Sequence, residues 1–337
     1  MSSSTFSFRP FSFRPEWKVI AFVLAALVAC ETLLRVADDF ISLDIRHIHA
    51  IPAISKKFVR EDGLSILFMG NSMIRTDVNE AVFLKAEAEQ LGPEPQVRIA
   101  RVHLDASHLP EWYYTFKYSF VDEGSVPDVL VLGVAGDELA DQSEVLTRQL
   151  AAFHAEASAV PEIFRHDVLT FPDRADFALA YVSVSYAIRE RVSMRALSLL
   201  VPQYEDVAKA LHDVAWEQQK RAAVHRQRTY HRLGRLAELA KSHSVDVIVV
   251  GMPLAPYNTD ELEPELPCRI QAMAMTFVDA REIDGIHAGM YVDEMHLDAK
   301  GAVLFSKALA KRLAKPIRRI AIANEAGDSH ARLYHRY

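Results

Sequence analysis

Three residues far apart in the chain have the types and spacing for nucleophilic catalysis. Ser72 follows Gly70 and Asn71 at the end of an apolar run, and Asp293 precedes His296 by three residues near the C-terminus. A serine hydroxyl becomes a nucleophile when a neighbouring base removes its proton. An Asp at this spacing can reach Nδ1 of the His within one turn, which leaves Nε2 to face the serine. The three side chains together predict acyl-ester chemistry.

Each half of this pattern also has a structural interpretation. Ser72 could be the N-cap of a helix, a role that serines at such turns often have. Asp293 could likewise be a simple N-cap, with His296 a structural histidine at a helix start. Ser72 stands where open α/β sheets bind ligands, at the carboxyl end of a strand. The occurrence of both halves in one chain, rather than either half alone, favours the catalytic interpretation.

The elements that must position these residues are typical of a parallel, doubly wound α/β sheet. Helical stretches, among them Thr76–Gln90 and a last helix Ala302–Leu313, separate most of the apolar runs, and such alternation favours parallel strands. The predicted strands are Ser65–Met69, Gln96–Val102, Asp128–Leu132, Asp246–Val250 and Met275–Val278.

A long helical stretch from Asp137 to Ser244 interrupts the alternation. Pro161, Pro172 and Pro202 are its breakers, and residues 205–243 could form one long helix or two. We interpret this insertion as a cap or side wall of the sheet.

The N-terminus has the pattern of an export or anchor signal. Three basic side chains, Arg9, Arg14 and Lys18, precede the uncharged segment Val19–Cys30. A basic start before an apolar stretch places the N-terminus in the cytoplasm and the remainder outside. Three interpretations remain open: an uncleaved anchor helix over about 17–36, a cleaved signal peptide, or a bacterial lipoprotein signal lipidated at Cys30.

Composition excludes several other classes of protein. The chain has 337 residues and a net charge of −7, so nothing in its charge predicts nucleic-acid binding. Its two cysteines, Cys30 and Cys268, form no zinc-binding pair. His47 and His49 have the spacing of metal ligands, but no third ligand is evident. We expect neither a metal nor a cofactor.

The two halves of the motif together resemble the SGNH, or GDSL-like, hydrolase family. Gly70-Asn71-Ser72 stands where that family has its nucleophile block, and Asp293–His296 stands where it has its acid and base. The resemblance covers about residues 64–314, less the insertion. It implies a flavodoxin-like SGNH fold with Ser72 as nucleophile, His296 as general base and acid, and Asp293 as its orienting partner.

Two further blocks of that family are altered here. Ser107 stands about where the family has a Gly, and Gly136 where it has an Asn. Both family residues help to form the oxyanion hole, and one lost donor there can cost roughly 2.7–4 kcal/mol. The candidate donors that remain are the N–H groups of Ser72 and Ser107 and the side-chain amide of Asn71.

The resemblance implies an extracytoplasmic serine esterase or O-acyltransferase. Membrane-tethered relatives often add or remove acetyl groups on cell-surface or secreted polysaccharides, so the expected ligand is an acylated glycan or a small acyl ester. A membrane-bound acyltransferase or a polysaccharide assembly protein is a possible partner. The alternative is a catalytically degenerate module that binds a glycan or an assembly partner.

These interpretations divide the chain into consecutive segments. They are a cytoplasmic N-terminus (1–16), a transmembrane anchor or signal segment (17–36), a connector (37–60), a hydrolase-like domain (61–315) with a helical insertion (about 138–244), and a tail expected to fray (316–337).

Overall fold

The fold was obtained as a computed structural model. It describes residues 14–58, 63–92, 96–204, 207, 228–258, 260 and 262–334. Most of the predicted helical region 205–243 lies outside the described residues, and so does the cytoplasmic N-terminus up to residue 13.

Five parallel strands form one sheet in the order β2-β1-β3-β4-β5. This order is that of flavodoxin-like doubly wound sheets, so the predicted fold class is confirmed. All five predicted strands are present with ends shifted by one or two residues. The strands are β1 Leu64–Gly70, β2 Val97–His103, β3 Val129–Val134, β4 Asp246–Gly251 and β5 Thr276–Asp279.

Helices cover both faces of the sheet. Their bounds are α1 Arg14–Ile41, α2 Leu43–Phe58, α3 Ser72–Asp77, α4 Glu80–Leu91, α5 Leu109–Phe116, α6 Thr147–Gln149, α7 Val160–His166, α8 Phe171–Val182, α9 Val184–Ala187, α10 Arg189–Leu200, α11 His231–Ser242, α12 Leu266–Ala272 and α13 Ala299–Tyr334. One apolar core lies between the sheet and α3, α4 and α13. The other lies between the sheet and α2, α5, α11 and α12.

The predicted helix Thr76–Gln90 is two helices in the structure. The helix is interrupted at Asn79, whose side chain accepts a hydrogen bond from Val82 N–H and so forms the N-cap of α4. The first of the two helices, α3, begins four residues earlier than predicted, at Ser72. The short α3 therefore carries Ser72 directly off the end of β1.

The connector 37–60 contains a packed helix rather than an extended linker. Residues of α2 alternate between exposed and buried, and Ile45, Ile48 and Ile51 are buried against the domain. Pro52 lies inside this helix. The apolar spacing at three residues explains the packing, because such positions share one face of a helix.

The helix α13 continues through Pro316 to Tyr334, in the region where the sequence predicts a tail. A proline inside a helix costs about 3 kcal/mol. Ile317 and Ile320 are buried just beyond it, and each buried Ile side chain stabilises by about 1.5–3 kcal/mol. Burial therefore outweighs the lost hydrogen bond.

The N-terminal helix α1 contains one segment that is long and apolar enough to cross a membrane. It runs from Trp17 to Ala37, has a mean hydropathy of 2.2, and is not buried against the rest of the protein. The length and composition of this segment fit a membrane anchor or a signal sequence.

Candidate active site

Ser72 lies at the carboxyl end of β1, as the first residue of α3. Asn71 is the N-cap of this helix, and its side-chain oxygen accepts a hydrogen bond from Met73 N–H at 2.9 Å. The N-cap role that the sequence left open for Ser72 thus belongs to Asn71. This leaves the hydroxyl of Ser72 uninvolved in capping and partly exposed.

Glycines at the ends of two strands seat α3 closely on the sheet. Gly70 of β1 pairs with Gly133 of β3. A Cβ at either position would overlap the side chain of Ile74, which lies over both glycines. Any larger residue at either strand end would therefore force the side chain of Ile74, in the helix that carries Ser72, to move.

The structure brings Ser72, His296 and Asp293 into one hydrogen-bonded chain. Nε2 of His296 lies 2.7 Å from Oγ of Ser72. Nδ1 of the same ring lies 2.7 Å from Oδ2 of Asp293. These contacts match the arrangement in which a carboxylate orients an imidazole that accepts a serine proton. The assignment of catalytic roles stays a prediction.

Hydrogen bonds within its own loop keep Asp293 in the ionised, carboxylate form. Partial burial raises its pKa, but hydrogen bonds from His296 and from the N–H groups of Met295 and His296 outweigh burial and lower it below the ordinary value. The two backbone contacts to Oδ1 are both 2.8 Å. One oxygen thus fixes the loop while the other orients the imidazole.

A loop after β4 supports the backbone on which Asp293 and His296 stand. Tyr257 donates its hydroxyl to the carbonyl oxygen of Asp293 at 3.1 Å, and Ala255 N–H donates to that of Glu294 at 3.0 Å. The position of His296 therefore depends on a loop that follows a different strand.

Asp77 is a supporting residue that sequence reasoning missed. It ends α3, is fully buried, and accepts a hydrogen bond from Leu297 N–H at 3.0 Å. Burial raises the pKa of Asp77 to about 6, although Thr76 and the Leu297 contact oppose the rise. One side chain thus joins the helix of Ser72 to the residue after His296. A single sequence does not show that such an acid is buried.

Glu138 is a second buried acid that the sequence did not point to. Its carboxyl group accepts hydrogen bonds from the Asn71 side-chain amide at 2.5 Å and from Ala135 N–H at 3.0 Å. Burial raises the pKa of Glu138 to about 8, even though both of these hydrogen bonds lower it. Asn71 is therefore held between α3 and the loop after β3.

The three predicted oxyanion-hole donors differ in the hydrogen bonds that they already make within the protein. Ser72 N–H belongs to the first turn of α3, where backbone N–H groups have no partner within the helix. Ser107 N–H already donates to Leu104 O at 3.1 Å, and the Ser107 hydroxyl donates to the same oxygen. The Asn71 side chain is engaged by Met73 and Glu138. Their role at an oxyanion stays a prediction, and Ser72 N–H is the best placed.

Gly136, at the position where the family has an Asn, adopts a left-handed backbone with φ of +52°. A Cβ at this position would overlap the carboxylate of Asp260. The space for the family's Asn side chain is thus taken by an acid from the loop after β4. An acid there opposes, rather than stabilises, a developing negative charge.

Several aromatic and histidine side chains lie outside the site. Trp112, Tyr113 and Tyr114 are buried and pack in the core. The ring of His47 stacks on His103 at 3.6 Å, and its Nε2 accepts from the backbone N–H of that residue.

A cleft of about 870 Å³ opens at the carboxyl ends of β3, β4 and β5. Gly136 and Tyr291 line it beside the Asp293–His296 loop, and Met252 and Ile283 contribute apolar surface. Its rim is charged, with acids and the cations Arg281 and Arg312. Clefts of this volume are in the range of small-molecule sites.

No protein-family model matches the chain, and no curated protein matches its sequence significantly. Among solved structures, an acetylxylan esterase from Geobacillus stearothermophilus is 11% identical with a TM-score of 0.38, over 75% of this chain and 94% of that one. A lipase/acylhydrolase from Enterococcus faecalis is 9% identical with a TM-score of 0.38, over 75% and 96%.

A GDSL-like lipase from Bacteroides thetaiotaomicron is 10% identical with a TM-score of 0.33, over 80% of this chain and 98% of that one. These are distant likenesses of structure. The chain is thus similar to solved GDSL-type acylhydrolases, esterases and lipases, the group whose motifs its sequence resembles.

Proposed function

We propose that the protein is a serine esterase or O-acyltransferase that acts on acyl esters through Ser72, His296 and Asp293. The observation that carries the proposal is the continuous chain of two 2.7 Å hydrogen bonds from Ser72 Oγ through the imidazole to Asp293. In this geometry the imidazole can accept the serine proton without any movement of the backbone.

Acylation starts when Ser72 Oγ attacks the carbonyl carbon of the ester and its proton passes to Nε2 of His296. The tetrahedral intermediate collapses as the bond to the alcohol oxygen breaks, and His296 returns its proton to that oxygen. The carboxylate of Asp293 stabilises the imidazolium between these two steps. The product is an acyl-serine at position 72.

Deacylation repeats the same steps with a new nucleophile. Water or a sugar hydroxyl loses its proton to Nε2 and attacks the acyl carbon, and the bond to Ser72 Oγ breaks as the proton returns to that oxygen. Water as acceptor makes the protein an esterase, and a sugar hydroxyl makes it an O-acyltransferase.

The proposed substrate is an acetyl ester of a cell-surface or secreted polysaccharide. Its support is the apolar segment Trp17–Ala37, which suits a membrane anchor, and the basic residues before it. The catalytic domain would then lie on the extracytoplasmic side, where such polymers are found. A membrane-bound acyltransferase or a polysaccharide assembly protein is the proposed partner.

A second candidate is a catalytically degenerate module that binds a glycan or an assembly partner. Two observations favour it: Ser107 N–H is already paired with Leu104 O, and Asp260 fills the space beside Gly136. Both weaken the oxyanion hole, which is usually the largest single contribution to this type of catalysis.

A fluorophosphonate probe separates the two candidates, because it reacts only with an activated serine. We expect the full-length protein to be labelled at Ser72 and to hydrolyse a small acetyl ester. Ser72→Ala should abolish both while the thermal unfolding midpoint stays the same, because this side chain is not packed in the core.

Ser242→Ala, at an exposed serine on α11, is the matched control and should leave labelling and hydrolysis intact. Full hydrolysis by the Ser72→Ala protein would contradict the proposed site. Absence of labelling in a folded wild-type protein would favour the degenerate module instead.

A further inference from the structure

A carboxylate lies within the apolar segment of α1. Glu31 stands six residues before the end of the segment Trp17–Ala37. Its side chain pairs with Arg35 at 2.9 Å, one turn further along the same helix. An acid at this depth in a membrane-spanning helix is costly unless its charge meets donors.

The turn between α8 and α9 supplies those donors. Val184 N–H donates to Glu31 at 2.7 Å, and Ser185 donates its N–H at 3.1 Å and its hydroxyl at 2.8 Å. The hydroxyl of Ser183 donates to the same carboxylate at 3.0 Å. These hydrogen bonds thus join the helical insertion to α1 at Glu31.

The height of this contact places the insertion at the level of the apolar segment. At 1.5 Å per residue, Glu31 lies about 21 Å from Trp17 and about 9 Å short of Ala37. The hydrocarbon core of a bilayer is about 30 Å thick. If α1 spans the membrane with Trp17 at the inner boundary, the α8–α9 turn is below the outer boundary.

The elements on either side of this turn expose apolar side chains. The end of α8 lies against α1, because Arg35 donates to the carbonyl oxygen of Val182. The first half of α10 is also near α1, since Val192 packs in the same small cluster as Leu34. Six of the exposed apolar side chains on these elements are Leu179 (51%), Val182 (68%), Met194 (56%), Leu197 (38%), Leu199 (73%) and Leu200 (78%). We call these six residues the insertion patch.

We propose that the insertion patch is buried in the outer leaflet of the lipid bilayer beside α1. This inference rests on the proposal that α1 is a membrane anchor, and it adds a second contact with the membrane. The patch adjoins α1 through the contact of Arg35 with Val182 and the cluster that contains Leu34 and Val192, and most apolar side chains of α1 are themselves exposed. Transfer of these six apolar side chains from water into lipid is favourable, because apolar surface leaves water.

This second contact has a consequence for the active site. With an anchor helix alone, the domain would be free to rotate relative to the membrane. A second apolar contact beside the helix fixes the tilt of the domain. The cleft beside His296 would then face a constant direction and height above the membrane.

Spin labels on the full-length protein in vesicles test the proposal. Cys30 and Cys268 are first replaced by Ser, and single cysteines are then placed at Leu179, Leu197 or Leu200 for labelling. Matched controls carry the label at Val292 (66% exposed) and Ile322 (60% exposed), which lie on other parts of the domain. The vesicles contain phosphatidylethanolamine and phosphatidylglycerol.

Oxygen concentrates in lipid, whereas a water-soluble nickel chelate is excluded from it. We expect the ratio of oxygen to nickel collisions to be several-fold higher at the patch than at the two control positions. Equal ratios at all five positions would overturn the proposal. If both reagents are excluded from the patch, and label–label broadening disappears on dilution with unlabelled protein, the patch contacts a second copy of the chain. That result would also overturn the proposal.

Alkaline carbonate extraction of the same vesicles keeps the two proposals apart. Protein released by carbonate would contradict the anchor and, with it, the insertion patch. Protein retained in the membrane with water-exposed labels would contradict the patch alone. Neither result depends on catalytic activity, so failure of the esterase proposal would be seen separately in the Ser72 labelling.

Discussion

At the scale of single residues, the contact between Asp293 and Nδ1 decides which nitrogen of His296 faces Ser72. Asp293→Asn keeps the shape but allows the wrong tautomer, a change that costs about 10⁴ in rate where such triads are well built. We expect a large fall in the rate of Ser72 labelling by a fluorophosphonate, with little change in thermal stability because Asp293 is partly exposed.

Glu89→Gln, on the exposed surface of α4, is the matched charge-removing control and should label like the wild type. Equal labelling of the wild type, Asp293→Asn and His296→Ala would show that Ser72 is not activated by this pair.

A second residue-scale prediction concerns the buried Asp77. Its pKa is about 6 in the fold against 3.8 for an ordinary Asp, so the folded protein holds this proton more tightly than the unfolded chain does. The stability contribution of the protonated form is present below about pH 4 and is lost as the pH rises through 6.

Asp77→Asn removes this titration while keeping an oxygen that can accept from Leu297 N–H. The variant and the wild type should be equally stable near pH 4, and the variant should be the more stable at pH 7, by on the order of 2–3 kcal/mol. Thermal unfolding of both proteins at several pH values measures the difference. A difference between them that does not change with pH would contradict the buried, titrating carboxylate.

At the scale of elements, the loop after β4 competes for the space beside Gly136. Asn tolerates the left-handed backbone that Gly136 adopts, so the backbone alone does not forbid the family's residue. Gly136→Asn should nevertheless lower thermal stability and not raise activity, because Asp260 fills the space that the amide needs.

The double variant Gly136→Asn with Asp260→Ala should fold better than the single variant and hydrolyse acetyl esters faster than Asp260→Ala alone. A single oxyanion donor is typically worth 10²–10³ in kcat, which sets the upper bound for the gain. The comparison is of kcat for a small acetyl ester across the four proteins. A single variant as stable and active as the double one would show that Asp260 does not block the position.

The elements differ in how far the sequence alone could predict them. Apolar runs identified the central strands β1, β3 and β4, because a strand buried on both faces has few polar side chains to interrupt it. The edge strands β2 and β5 are only partly buried, and β2 carries Arg98 and Arg101. The break between α3 and α4 was missed, since Asn79 sits in an otherwise regular helical pattern and only its capping contact reveals the helix start. The path of α13 beyond Pro316 depends on burial by distant elements, which a local pattern does not contain.

The candidate site divides in the same way. Ser72, Asp293 and His296 could be predicted because their motifs are short and local, with the Asp and His within one turn. Asp77 and Glu138 could not, because their importance comes from burial and from partners far along the chain. The sequence likewise shows that Gly136 stands where the family has an Asn. It does not show that the side chain of Asp260 occupies the space beside Gly136.

At the scale of the whole molecule, the predicted topology places everything after α1 outside the cytoplasm. A reporter that works only after export, fused after Tyr337, should therefore be active, and a reporter that works only in the cytoplasm should be inactive. The reverse result would contradict this orientation.

Cys30→Ala tests the lipoprotein alternative on the same fusions. Loss of incorporated lipid together with release from the membrane would identify Cys30 as the lipidated residue. An unchanged membrane fraction would favour the anchor helix. Cys268→Ala is the control, because this second exposed cysteine lies on α12, far from the apolar segment.

The distance along the chain between Ser72 and His296 has a consequence for the time at which activity first arises. The two residues are 224 positions apart, and the helix after His296 closes the core beneath α3 and α4. A ribosome makes the serine early and its base near the end. Under the proposed roles, a growing chain therefore carries Ser72 without its base through most of its synthesis, and His296 can activate Ser72 only after the last helix packs against the sheet.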